Sequence, residues 1–287
     1  MFKVESYILK MKKIFIIGEN GMLGNYVRSY LRKNKYNIVL MTREDYDLAF
    51  LTVDSLSKML LEKGLYEGDI VINRAGVIPQ SSKQRDVNTR LYFVVNSMFP
   101  VILSIICSKY NAKMIHVTTD CVYSGQDGKY DENSIPDETN DYGLSKSLGD
   151  LSNCTIIRTS IIGEEINNKR SLLEWVKSNK GKEINGFTHH HWNGVTCLQL
   201  AKVIEEIIEK DIYWNGVRHV FSPRSVSKYE LLCMINTIYS LNITINKLET
   251  EKIDKTLSSI HDKLFDIPDL LEQMNQMKLF PLMGYIR

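Results

Sequence analysis

The sequence has no cysteine pair suited to a metal site or a disulfide framework. Its five cysteines, Cys107, Cys121, Cys154, Cys197 and Cys233, stand singly with no CxxC spacing, which fits a reducing compartment. It has no surplus of charge. Thirty-six Lys and Arg against 34 Asp and Glu leave a net +2, so bulk electrostatics favour neither nucleic acid nor membrane as a partner. It has no unbroken apolar run of the roughly 18 residues that a membrane span needs; "VVNSMFPVILSIIC" is interrupted by Asn96 and Pro100. The opening "MFKVESYILKMKK" lacks an apolar h-region and does not read as a signal peptide. Internal repeats and low-complexity linkers are also missing. What remains is a chain of 287 residues, 44% hydrophobic and 24% charged. That is long enough for one large domain or two unequal ones, with a cytoplasmic location expected.

What is present is an alternation. "KIFIIG", "YNIVLMT", "DIVINRAG", "KMIHVTTD" and "CTIIRTS" are short apolar runs rich in β-branched residues. Between them lie helical patterns: "MLGNYVRSYLRKN", "VDSLSKMLLEKG", "NSMFPVILSIICSKYN" and "DYGLSKSLGDL". Strands separated by helices predict right-handed βαβ units and a parallel sheet covered on both faces. Beyond Ile161 the pattern shifts to amphipathic helices ("SLLEWVKSNKG", "CLQLAKVIEEIIEK", "KYELLCMINTIYSL", "DIPDLLEQMNQM") around the short strand "VRHVFSP". The expected fold is α/β: a Rossmann-type doubly wound parallel sheet with a smaller, mostly helical substrate domain. The expected boundaries are 11–160 plus about 192–221 for the first unit, and about 161–191 and 222–287 for the second.

"GENGMLG" directly follows the first strand and opens a helix, the context that makes a glycine motif credible as a dinucleotide cradle. Gly18, Gly21 and Gly24 permit a tight turn and close approach to a pyrophosphate, which the helix start around Met22 and Leu23 would cap. The second strand ends "LMTRED". An acid there would grip the ribose 2′-hydroxyl of NAD, whereas an arginine accommodates a 2′-phosphate. Arg43, with Thr42 beside it, favours NADP(H), and Glu44 and Asp45 keep NAD(H) open. "NRAG" ends the third strand, where Asn73, Ala75 and Gly76 would meet the adenosine side.

"YGLSK" places Tyr142 and Lys146 four apart on one helix face. An ammonium near a phenol lowers the phenol's pKa, so such a tyrosine can protonate a carbonyl oxygen as hydride arrives. Thr119, 23 residues upstream at a strand end, completes a hydroxyl, phenol and lysine set.

In the order "GENGMLG", "NRAG", "VVNSMFP", "HVTTDCVYSG", "DYGLSK" and "IIRTS", the chain resembles the extended short-chain dehydrogenase/reductases, and within them the dTDP-4-dehydrorhamnose reductase-like group. The resemblance implies NAD(P)H-dependent reduction of a 4-keto group on a nucleotide-linked 6-deoxy sugar. Tyr142 would be the acid, Lys146 would bind the nicotinamide ribose, Thr119 would bind the keto oxygen, and Asn96 matches an asparagine near the active site. Related families that epimerise before reducing, the GDP-fucose synthases and plant rhamnose synthases, carry a cysteine two residues after the catalytic hydroxyl, as Cys121 follows Thr119 here. A 4-keto group acidifies its neighbouring C–H bonds, and inversion there needs an acid and a base. A histidine from the "GFTHHHWNGVT" loop would be the partner; His189, His190 and His191 are all candidates, and His190 stands for them. Cys121 as core filling and the histidines as an ordinary loop are the alternatives. Lys169 and Arg170 would meet the substrate diphosphate, and Trp192 the sugar or base. The motif mix also resembles reductases of UDP-2-acetamido-2,6-dideoxy-4-keto-hexoses. That makes a UDP-linked amino sugar the first expectation and a dTDP sugar the second, with no metal and with a homodimer as the expected assembly. A different outcome is that of the regulatory subunit of methionine adenosyltransferase, which shares this fold and binds NADP(H) without turnover.

Overall fold

The computed structural model describes residues 12–79, 88–167 and 169–283. The signal-peptide reading of the N-terminus falls on residues largely outside that range.

Six parallel strands form the main sheet: β1 (Lys13–Ile17), β2 (Asn37–Met41), β3 (Ile70–Asn73), β4 (Lys113–Thr119), β5 (Thr155–Thr159) and the late strand β10 (Gly216–His219). Their spatial order is β10-β5-β4-β3-β1-β2, and every pairing is parallel. β1 and β3 carry almost wholly buried side chains, the pattern of strands covered on both faces. The chain runs outward to β2 on one side of β1 and to β3 on the other. A crevice therefore opens at the carboxyl ends of β1 and β3, where doubly wound sheets bind ligands.

Helix α1 (Met22–Lys33) leaves β1 through the glycine turn and ends on Arg32 and Lys33, cations suited to its carboxyl-end dipole. α2 (Val53–Glu62) starts from the capping hydroxyl of Thr52. α3 (Thr89–Lys109) begins seven residues before Asn96 and contains a π-helical turn over Val94–Met98. At 21 residues and a window hydropathy of 1.9, α3 is long and apolar enough to cross a membrane by length and composition. That corrects the sequence-based count, which broke this stretch at Asn96 and Pro100. Here Phe99, Leu103 and Ile106 pack onto the sheet. α4 (Asp141–Gly149) is opened by Asn140, whose side chain accepts from the Gly143 amide at 2.9 Å.

The second half is less helical than its sequence suggests. Helices α5 (Leu172–Ser178), α6 (Cys197–Glu209), α7 (Lys228–Tyr239) and α8 (Leu270–Leu279) are joined by short strands. β6 (Ile161–Ile162) pairs with β9 (Val195–Thr196), and β7 (Glu183–Phe187) with β12 (Thr244–Leu248). β8 (His190–Trp192) lies between β11 (Val226–Ser227) and β13 (Ile253–Asp254). Strands of two or three residues show no alternation for a sequence to reveal. One hydrophobic cluster runs from Ile14 and Val27 through Ile204 to Ile235 and Met274, so α1, α6, α7 and α8 share a core.

Candidate active site

At the crevice, the carboxyl end of β1 gives way to a turn in which Gly18 has φ +83°. A side chain there would lie 3.0 Å from the Ala75 backbone, so glycine is required both for the conformation and for the close approach. A cleft of about 400 Å³ opens above this turn, lined among others by Gly21, Thr42, Arg43, Ala75 and Gly76. These are cofactor residues expected from the sequence. Met22 and Leu23 contribute backbone at the helix start, while their side chains turn into the core. The sequence reading missed Glu19, Tyr46, Asp47 and Leu48, which also line the cleft.

The loop after β2 sorts its charges. The Asp45 carboxylate accepts from the Thr42 amide at 2.7 Å and pairs with Lys63 at 2.7 Å. Lys63 and Thr42 hold its pKa down against burial. It is committed there, and Asp47 caps the turn that follows by accepting from the Ala49 amide at 3.0 Å, while Arg43 is the exposed cation of this loop that lines the cleft.

Asn73, expected at the cofactor, and Asn96, expected near the active site, both brace the backbone around the cleft. Asn73 is fully buried; its amide side chain meets His116 Nδ1 at 3.1 Å and accepts from the Ala75 amide at 3.1 Å. Asn96, in the π turn, accepts from the Val77 amide at 2.8 Å and donates to the Val77 carbonyl and to Ser145 Oγ, each at 3.0 Å. It ties the loop after β3 to α4 and shapes the cleft from behind.

Thr119, Tyr142 and Lys146, the hydroxyl, phenol and lysine expected to act together, lie close to one another, but the phenol's pKa is raised rather than lowered. Thr119 ends β4, and its hydroxyl accepts from the Cys121 amide at 3.1 Å. The Tyr142 hydroxyl meets Thr119; burial raises its pKa well above the ordinary value, the nearby Cys121 adds to the rise, and the Thr119 hydrogen bond opposes it. Lys146 is buried beneath, and a methyl at Gly76 would stand 2.8 Å from its Nζ. Burial brings the lysine down to about 8, Asp150 partly resisting and Arg74 assisting. Asp120 is buried, with its pKa raised by that burial, and accepts from Thr119 at 3.2 Å. Cys121 Sγ lies 3.6 Å from the Asp120 carboxylate, and burial and that carboxylate push the thiol up to about 12. Near neutral pH Cys121 is therefore a protonated thiol, a donor rather than a base.

The second half corrects several expectations. The histidines are not a free loop: β8 takes His190 and His191 into a sheet. His189 Nδ1 meets the Thr250 carbonyl at 3.2 Å. The His190 ring lies 4.5 Å from that of Phe187, and its Nε2 meets Thr250 Oγ1 at 3.0 Å. His191 acts electrostatically on Glu230 and Asp254. The cations of this half that act on Asp120 and Cys121 are instead Lys228 and Lys255. Neither drew attention in the sequence, because nothing local marks as inward-facing a lysine at a helix start, as Lys228 is, or one just after a two-residue strand, as Lys255 is. Trp192 is core, 5% exposed, with Lys228 Nζ 5.6 Å from its ring. Arg170 lines the cofactor cleft beside Gly21 rather than a substrate pocket, and Lys169 is exposed. Among the described residues no cluster of His, Cys, Asp or Glu suits a metal.

A doubly wound sheet with a glycine cradle at its carboxyl edge is a Rossmann-like reductase fold. The chain belongs to the family described as the RmlD substrate binding domain, whose model matches residues 11–256. It is 26% identical over 230 residues to a probable low-salt glycan biosynthesis reductase, Agl14, of Haloferax volcanii, covering 74% of this chain and 75% of that protein. It is 25% identical over 245 residues to a dTDP-4-dehydrorhamnose reductase of Aggregatibacter actinomycetemcomitans, 78% of each. It is 22% identical over 246 residues to methionine adenosyltransferase 2 subunit beta of Danio rerio, 80% of this chain and 75% of that one. The fold matches a dTDP-4-dehydrorhamnose reductase from Bacillus anthracis solved with NADP, at TM-score 0.77 and 22% identity over 93% of this chain and 99% of that one.

Proposed function

We propose that the protein reduces the 4-keto group of a nucleotide-linked 6-deoxy-hexose with NADPH. The observation that carries this reading is the meeting of Thr119 and Tyr142 near the buried Lys146, whose Nζ lies against Gly76, a lining residue of the cleft that also holds Gly18 and Ala75. Gly18, closed against the Ala75 backbone, and the open start of α1 fit a dinucleotide, and Arg43 fits a 2′-phosphate. The bound cofactor supplies the hydride. Thr119 and Tyr142 hold the keto oxygen, and Tyr142, kept protonated by burial, gives it a proton. Lys146 then faces the phenolate and steadies it. The solved relative carrying NADP and the reductases similar in sequence support this reading. Purified protein should oxidise NADPH when given 4-keto-6-deoxy sugar nucleotides. A UDP-linked 2-acetamido sugar is the first substrate proposed and dTDP-4-dehydrorhamnose the second. Binding of NADPH without oxidation on any such substrate would instead support a non-catalytic subunit; the Danio relative is named as a subunit of methionine adenosyltransferase.

A second activity, epimerisation at C3 before reduction, is favoured by the position of Cys121. A protonated thiol next to Tyr142 is placed to return a proton to C3. Lys228, one of the two second-half lysines that act on Asp120 and Cys121, has its pKa brought down by burial and is the base proposed to take the original C3 proton. Deuterium from D₂O should enter C3 of the product. Cys121→Ser and Lys228→Met should each reduce that incorporation at least tenfold while leaving part of the 4-reduction. Unchanged incorporation in Cys121→Ser would return Cys121 to packing.

A further inference from the structure

Arg74 stands between the asparagine and the small residues that end β3. Its guanidinium does not leave for solvent but crosses the crevice to the glycine turn, where Nη1 donates to the Gly18 carbonyl. A Cβ at Gly21 would lie 2.9 Å from Nη1 and closer still to Nη2, and one at Gly24 would also collide with Nη1. Two of the three glycines of "GENGMLG" are thus positions where a guanidinium, and not only a ligand, needs the missing side chain. Arg74 also lines the cleft with Arg170. The N-cap of α1, Gly21, lines the same cleft, and no side chain caps the helix, so its start is suited to an anion.

We infer that Arg74 is the diphosphate-binding residue of this protein: its guanidinium lies against the glycine turn and holds the dinucleotide's diphosphate in a bidentate, charge-assisted grip from the β3 side. The inference rests on the dinucleotide reading above. The glycine turn by itself offers backbone amides but no counter-charge. A guanidinium fork matches two phosphate oxygens and is weakly hydrated, so it gives up little on contact. The same charge helps hold the Lys146 pKa down. Neutralising it with a diphosphate would favour a charged Lys146 once the cofactor is seated.

The test is binding, read by fluorescence titration with NADPH and, separately, with adenosine 2′-monophosphate, which keeps the 2′-phosphate and lacks the diphosphate. Arg74→Ala should weaken NADPH at least tenfold, flatten its salt dependence, and change adenosine 2′-monophosphate binding less than twofold. Arg74→Lys should recover part of the loss, since it restores charge without the fork. Equal weakening of both ligands would make Arg74 a mere brace for the glycine turn, and tighter NADPH binding would make it an obstruction; either result overturns the inference. Failure of the unaltered protein to bind NADPH at all would instead sink the cofactor reading, whatever the variants do.

Discussion

Lys146 shows what the site costs the fold. Burial brings its pKa from 10.5 to about 8. Below pH 8 the lysine is protonated folded and unfolded alike, and the folded state carries the full burial cost. Between pH 8 and 10.5 the unfolded chain binds the proton and the folded one does not, so this group makes stability rise with pH across that window. Lys146→Met keeps the length and removes the charge. It should stabilise the protein at pH 7 by about 1–3 kcal/mol, measured from urea midpoints, with the gain shrinking as pH climbs from 8 to 10.5. Turnover should fall by about a hundredfold or more. A variant no more stable at pH 7 would mean that burial does not hold the folded lysine's pKa below its unfolded value. The same titration sets the alkaline limb of activity. Tyr142 stays protonated well past its ordinary range, so the first group lost as pH rises is the charge on Lys146. The kcat/KM for NADPH should therefore decline above about pH 8; a flat profile to pH 10 would show that the lysine's charge is not needed.

Between elements, catalytic precision depends on how α4 is held. Asp150, just past its carboxyl end, forms a buried ion pair with Arg158 of β5 at 2.7 Å, both side chains 5% exposed. Arg158 also donates to the Tyr123 hydroxyl at 2.6 Å, which links α4, β5 and the segment after Thr119 in one network. Removing one partner of such a pair leaves an uncompensated buried charge, worth about 3–5 kcal/mol. Arg158→Met should lose roughly that much in denaturant unfolding. The double variant Arg158→Met, Asp150→Leu should recover most of it, because a buried pair replaced by apolar groups is often neutral. A double variant no better than the single one would mean that the network's hydrogen bonds, not the stranded charge, carry the stability. This network was not legible in the sequence. "IIRTS" and "LGDL" each read as ordinary strand and helix ends, and nothing in either announces the other. The π turn of α3 was equally hidden: "VVNSMFP" marks the segment, but the extra residue that sets Asn96 against Val77 and Ser145 is a product of packing.

For the whole molecule, the sequence was most readable where local pattern and chemistry coincide. Five strands of the main sheet were visible as apolar runs, and the edge strand β10, which carries Arg218 and His219, as part of the short stretch "VRHVFSP". Gly18, Thr119, Tyr142 and Lys146 were visible because strand ends and helix spacing bring them together. Legibility failed for side chains whose targets lie far along the chain: Arg74 toward Gly18, Lys228 toward Cys121, His190 toward Thr250. Surface assembly lies between these cases. α3 and α4 pack side by side, with Gly149 closing on the Asn96 carbonyl and Pro100. On their outer side Met98 and Ile105 of α3, Leu144 and Leu148 of α4, and Leu151 just beyond it are all exposed. The intervals of seven, and of four then three, put each set on one helix face. Exposed apolar side chains on adjacent helices form a surface that proteins tend to cover. A two-fold pairing of it with itself would join four helices into a bundle. We expect a dimer in sedimentation velocity at micromolar concentration, and Leu148→Lys should shift it to monomer with NADPH affinity unchanged, because the cleft lies at the crevice between β1 and β3 and Leu148 does not line it. Unaltered protein that sediments as a monomer would dismiss the patch as an assembly surface, and a Leu148→Lys dimer would move the interface elsewhere.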